Sequence, residues 1–168
     1  ITFTIANQKG GVGKTTTAVN VAHGLILSGR RVLLVDMDPQ GNATTGLGLD
    51  KNSIYRSLYH GMIGEATAES LIVDSEIDTL KVIPSRVELI GFEVEMMSKP
   101  KREMVLRYLL AEINDSFEYI IIDCPPSLSL LTVNALTAAD VMLIPLQCEF
   151  YALEGLGQLL HTMKRIKH

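Results

Sequence analysis

Short runs of apolar, largely β-branched residues recur along the chain at 2–6, 31–35, 79–83, 119–122 and 141–145. Runs of this kind suit strands buried on both faces of a parallel sheet. Between them lie stretches with helical spacing at 16–27, 87–97, 101–113 and 128–136, and a more polar region at 50–70. A last stretch, 153–166, places Leu153, Leu156, Leu160, Met163 and Ile166 close to helical intervals. Strands alternating with helices predict right-handed crossovers and an α/β fold, a doubly wound, mainly parallel sheet with helices on both faces. Ligands are then expected beyond the carboxyl ends of the strands. No repeat or linker divides residues 1–168, so they read as a single domain. A sheet of this type ordinarily continues further, and the domain is expected to be incomplete at its C-terminal end.

Composition narrows the class. With 47% hydrophobic and 20% charged residues, the 168-residue chain has a globular balance and enough length for one substantial core. No apolar run approaches the roughly 20 residues of a membrane helix, and the first residues lack the pattern of a signal peptide. A cytoplasmic location is expected. Cys124 and Cys148 form no C-x-x-C spacing, so reduced residues near the core are expected. The net charge of −4 argues against a constitutive nucleic-acid coat. His161, Lys164, Arg165, Lys167 and His168 suit the negative end of a helix dipole better than a nucleic-acid tail.

Three strand ends carry chemistry. The first run leads into Lys9-Gly10-Gly11-Val12-Gly13-Lys14-Thr15-Thr16, a glycine turn followed by Lys-Thr at a helix start, the layout of a P-loop nucleotide site. Gly10, Gly11 and Gly13 let successive backbone N–H groups point at one anion, and the following helix adds its positive end. Lys14 is assigned to the β- and γ-phosphates, Thr15 to Mg²⁺ and Thr16 to the α-phosphate. The general spacing asks for glycine where Gln8 stands, and it does not ask for Lys9. The run 119–122 ends in Asp123, a carboxylate expected to face Mg²⁺ through water, before a sharp Pro125-Pro126 turn. The run 31–35 ends in Asp36 and Asp38. Two residues apart, they point the same way in extended chain, one to tune the metal shell and one to orient an attacking water.

These blocks, with Asp36-Met37-Asp38-Pro39-Gln40-Gly41-Asn42-Ala43-Thr44, Asp123-Cys124-Pro125-Pro126-Ser127, Ile144-Pro145-Leu146-Gln147 and Tyr151-Ala152-Leu153-Glu154-Gly155, resemble the deviant-Walker-A ATPases of the ParA/MinD superfamily. The chromosomal ParA/Soj partitioning ATPases are the nearest group. The resemblance implies Mg²⁺-dependent ATP hydrolysis in an ATP sandwich dimer, with Lys9 reaching the partner's phosphates and Gly10 letting the two loops approach. It assigns Asp38 to the attacking water, places Asp36 and Asp123 around Mg²⁺ through water, and includes Val12 in the nucleotide loop. It further implies non-specific DNA binding by the dimer on the nucleoid, over a surface incomplete in this chain, and hydrolysis stimulated by a ParB-type centromere-binding protein.

A MinD-like membrane-linked division regulator shares Lys9 and the aspartate pair, but Pro39-Gln40-Gly41-Asn42 and Pro125-Pro126-Ser127 favour the partitioning group. An iron–sulfur reductase of the same fold needs two suitably placed cysteines, and Cys124 abuts Asp123 instead. The absence of an N-K-x-D motif disfavours a GTPase. A nucleotide-dependent scaffold with negligible turnover is the alternative from another class.

Overall fold

A computed structural model describes residues 1–147 together with Gly157, Leu159, His161 and Lys164. Cys148, the block at 151–155, most of the helical stretch 153–166, and Arg165, Lys167 and His168 lie outside the described residues.

The described chain builds a six-stranded sheet from β1 (Thr2–Ile5), β2 (Val32–Asp36), β3 (Val73–Asp74), β4 (Lys81–Ile83), β5 (Tyr119–Asp123) and β6 (Val141–Leu143). Their spatial order is β3-β4-β2-β5-β1-β6, with every pair parallel except β3 against β4. The expected doubly wound architecture is therefore present, with one correction. A sixth, two-residue antiparallel strand closes the edge, where Val73 pairs with Val82 and Asp74 with Lys81. Lys81 also ion-pairs with Asp74 across that pair.

Alternation along the strands divides the core into two layers. Leu33, Val35, Ile120 and Ile122 face one side, where they pack with residues of α3 (Leu58–Met62), α5 (Gly91–Glu95), α6 (Val105–Ala111) and α7 (Leu130–Ala138). Val32, Leu34 and Ile121 face the other side with Ala18 and Ala22 of α1 (Lys14–Leu27) and Ala43 of α2 (Asn42–Gly46). Small alanines let α1 approach the sheet closely beside the central strands. The polar region at 50–70 holds two short helices, α3 and α4 (Ala68–Leu71). The stretches at 87–97 and 101–113 form shorter α-helices than expected, because each begins with a 3-10 turn, Val87–Ile90 and Arg102–Met104. Leu159 is buried in the first layer, whereas His161 and Lys164 are exposed.

Strand register sets up the site. Ile5 and Asp36 both pair with Asp123, so the three chemistry-bearing strand ends finish side by side. The ladder continues one step past the strands, with Met37 N–H donating to Asp123 O at 2.9 Å and Cys124 N–H to Ile5 O at 3.2 Å.

Candidate nucleotide site

The loop from β1 to α1 folds as the glycine pattern requires. Gly11 and Gly13 have φ of 73° and 85°, a region that side chains other than glycine's enter at a cost. Gly13 is the residue before the helix, and no side chain caps the first turn. No acidic residue occupies that turn either, so its free N–H groups and the helix dipole remain available to an anion. Gly10, Gly11, Gly13, Lys14, Thr15 and Thr16 line a cleft of about 340 Å³ together with Asp38, Asn42 and Pro126. Lys9 is not among the residues lining it.

Lys14 is buried and its Nζ donates to the backbone carbonyl of Lys9 at 2.9 Å, drawing the loop around the ammonium. Burial lowers its pKa, partly opposed by the nearby Asp123 and Asp38 carboxylates. The Asn7 side chain braces the same loop. Its Oδ1 accepts the Lys9 N–H at 3.0 Å, while its Nδ2 donates to Pro145 O at 2.8 Å beyond β6.

Thr15 and Asp123 meet at the start of α1. Thr15 Oγ1 donates to Asp123 Oδ2 at 2.7 Å, and Asp123 Oδ1 is buried without a hydrogen-bond partner. A buried carboxylate oxygen left unpaired beside a hydroxyl fits a hard divalent cation completed by water and phosphate oxygens. Among the described residues, no group of three His, Cys, Asp or Glu side chains could hold a metal by itself. A cation here would therefore be shared with the nucleotide. Burial pushes the Asp123 carboxyl up to about 7; the Thr15 bond opposes this, and the charges of Asp36 and Asp38 add to it.

Asp36, the last residue of β2, and Asp38, just past it, do not share one direction, contrary to the extended-chain expectation. The strand ends at Asp36, and the chain folds back so that Asp38 N–H donates to Asp36 Oδ1 at 3.1 Å. Asp38 keeps 8% of its surface, lines the cleft, and accepts the Gln40 N–H at 2.9 Å. Asp36 is fully buried, and its Oδ2 accepts both the N–H and the hydroxyl of Thr44, at 2.8 and 2.7 Å. Burial raises its carboxyl to about 6 despite those bonds. Cys124 is also fully screened. Its thiol lies 3.1 Å from Thr4 Oγ1, and burial pushes it up to about 12, which removes it from reactive chemistry at neutral pH.

The structure thus brings Gly10, Gly11, Gly13, Lys14, Thr15, Thr16 and Asp38 to one cleft and sets Asp123 directly behind Thr15. Val12 is buried within the loop, and Lys9 stands at its head. Sequence reasoning gave no role to Asn42, Pro126 or Asn7. The available signal was their position beside turn residues, immediately after Gly41 and Pro125 and immediately before the glycine loop.

A parallel sheet with an uncapped glycine loop on its first strand and an aspartate ending the neighbouring strand defines a P-loop nucleotide-binding protein. The chain belongs to the AAA domain family, which it matches over residues 2–168. It is 53% identical over 97% of its length to the chromosome partitioning protein ParA of Myxococcus xanthus, and covers 58% of that protein. With the sporulation initiation inhibitor protein Soj of Bacillus subtilis it is 50% identical over 97% of its length, covering 64% of the relative. The chain thus spans about three fifths of the length of these relatives. The resemblance to the ParA/Soj group holds. Among solved structures, a cobyrinic acid a,c-diamide synthase from Mycobacterium smegmatis with bound ADP and magnesium superposes with a TM-score of 0.95 at 40% identity. That match covers 99% of this chain and 67% of the other.

Proposed function

We propose that the chain is the nucleotide-binding part of an ATP-driven partitioning switch. It would bind Mg²⁺·ATP, pair face to face with a second copy, hold DNA non-specifically as the ATP dimer, and release it after hydrolysis stimulated by a ParB-type partner. The observation carrying this reading is the different placement of two lysines. Lys14 points into a cleft shared with Asp38, whereas Lys9, on the same loop, does not line that cleft. A second cation outside its own site, next to the exposed Gly10, suits delivery to a neighbour's phosphates. Partitioning relatives with about half of their residues identical over this region support the biological setting.

The residues divide the reaction as follows. Loop N–H groups and Lys14 hold the β- and γ-phosphates, and Thr16 lies near the α-phosphate. Thr15 and Asp123 would hold Mg²⁺, with Asp36 behind them. When bound, that ion neutralises phosphate charge. Asp38 orients a water for in-line attack on the γ-phosphorus and accepts its proton, and the bond to the bridging oxygen breaks to give ADP and phosphate. Lys9 of the second copy offsets charge developing on the transferred group.

The test is sedimentation of the natural full-length protein with Mg²⁺ and ATP or ADP, with and without duplex DNA, and separately with anionic phospholipid vesicles. An ATP-specific dimer that co-sediments with DNA supports the proposal. Co-sedimentation with vesicles and not with DNA would replace it with the MinD-like reading, for which no helix among the described residues is itself long and apolar enough to span a membrane.

A further inference from the structure

Behind the cleft, the side chains of Asp36 and Thr44 and the backbone N–H groups of Ser85 and Asp38 form one buried hydrogen-bonded unit. Thr44, on α2, donates its N–H to Asp36 Oδ2 at 2.8 Å. Its hydroxyl lies 2.7 Å from the same oxygen and 2.9 Å from the backbone nitrogen of Ser85, just past β4. With Asp36 ionised, the proton assignment follows. Ser85 N–H can only donate, so Thr44 Oγ1 accepts from it and turns its single proton toward Asp36. Asp36 Oδ1 in turn accepts the Asp38 N–H. Asp36, Thr44 and Ser85 are all completely buried.

We propose that Thr44 is a positioning residue for Asp38, acting through Asp36, and that this chain of bonds sets the geometry of the hydrolytic step. The inference rests on the ATPase reading above. Asp38 sits on a loop between β2 and α2, and among the described residues its carboxylate accepts a local Gln40 N–H. Among the described residues, its backbone is held by a turn bond from Gly41 N–H to Asp38 O and by the bond from its own N–H to Asp36. Asp36 can serve as that anchor only while its carboxylate keeps a fixed orientation. Thr44 fixes it twice on one oxygen, and Ser85 fixes Thr44. One buried unit therefore joins the ends of β2 and β4 and the start of α2, leaving Asp38 as its single member that faces the cleft. Supporting bonds of this kind hold a reacting group within a few tenths of an ångström, on which water-activating geometry depends.

The experiment compares Thr44→Val and Thr44→Ser in the natural full-length protein. The valine matches threonine in shape and removes the hydroxyl, and the serine keeps it. Three quantities are read: steady-state kcat for ATP, calorimetric affinity for Mg²⁺·AMP-PNP, and hydrogen exchange of the Asp38 amide without nucleotide. For Thr44→Val, kcat is expected to fall at least ten-fold and the Asp38 amide to exchange at least ten-fold faster. Its affinity stays within three-fold of wild type, and Thr44→Ser stays within three-fold on all three readings. The proposal is overturned if the valine variant keeps kcat and exchange within two-fold, if it loses affinity by the same factor as kcat, or if serine is as impaired as valine. Should the valine variant not fold, Thr44→Ala is read by the same criteria. If the wild type hydrolyses no ATP, the ATPase reading falls, and the exchange data alone decide whether Thr44 holds Asp38.

Discussion

Lys14 and Asp123 carry the site's two opposite electrostatic problems, a buried cation and a buried carboxylate with one oxygen unpaired. Removing the cation leaves the loop without its phosphate charge. Lys14→Ala is therefore expected to weaken ATP binding at least 100-fold, about 2.7 kcal/mol, by calorimetry; unchanged affinity would contradict the assignment. Asp123 gives a pH signature. Its carboxyl, raised to about 7 by burial from an ordinary 3.8, binds a proton more tightly folded than unfolded. The stability it contributes is complete below about pH 4 and is lost as pH rises through about 7. Asp123→Asn carries no charge to desolvate, so without nucleotide its Tm should exceed that of wild type at pH 8, and the gap should narrow through pH 5 and level off only near pH 4. A gap independent of pH would show that the carboxylate is not strained by burial. Gly41 is constrained differently. It has φ of 63°, and an added Cβ would meet Ser85 O at 3.1 Å and Lys51 Cδ at 2.8 Å. Gly41→Ala should cost about 1–3 kcal/mol in urea unfolding and should disturb the Asp38 turn. The glycines, lysines and aspartates were legible in the sequence because their chemistry is tied to a local spacing. The direction of Asp36 was not, because it depends on Thr44 and Ser85, which approach from two other elements.

Helix starts show how elements depend on partners distant in sequence. The first turn of α6 is capped by Asn134 of α7, whose Oδ1 accepts the Leu106 N–H at 3.1 Å while its Nδ2 donates to Arg102 O and Leu130 O. Asn134 is completely buried, so its loss strands polar groups away from water. Asn134→Ala is expected to lower the unfolding free energy by roughly 2–4 kcal/mol, with the urea midpoint shifted at unchanged m-value. A change below 0.5 kcal/mol would mean that water replaces the amide. The five longer strands were legible because each lies on a short, mostly apolar run, and β2 and β5, at the centre, are buried on both faces. β3 was not, being two residues long with Asp74 exposed; its pairing comes from β4 and the Lys81–Asp74 contact. Helix lengths at 87–97 and 101–113 were overestimated for a related reason. Apolar spacing persists through a 3-10 turn, and Lys101, at φ of 56°, starts the second stretch outside helical geometry, which periodicity does not register.

At the scale of the whole molecule, the sheet brings three strand ends together, and on the proposed function the two-lysine loop makes that edge a surface for another copy. The central claim is that Lys9 serves the neighbour's nucleotide while Asp38 serves its own. This separates the two groups between subunits, and mixing two inactive variants tests it. Lys9→Ala alone and Asp38→Ala alone should each lose nearly all ATP turnover. In a one-to-one mixture, a heterodimer has one site with an intact Asp38 facing an intact Lys9 from the other subunit. With random pairing, phosphate release should recover to about a quarter of the wild-type rate. A mixture no faster than the average of its two components would contradict a lysine acting across the interface.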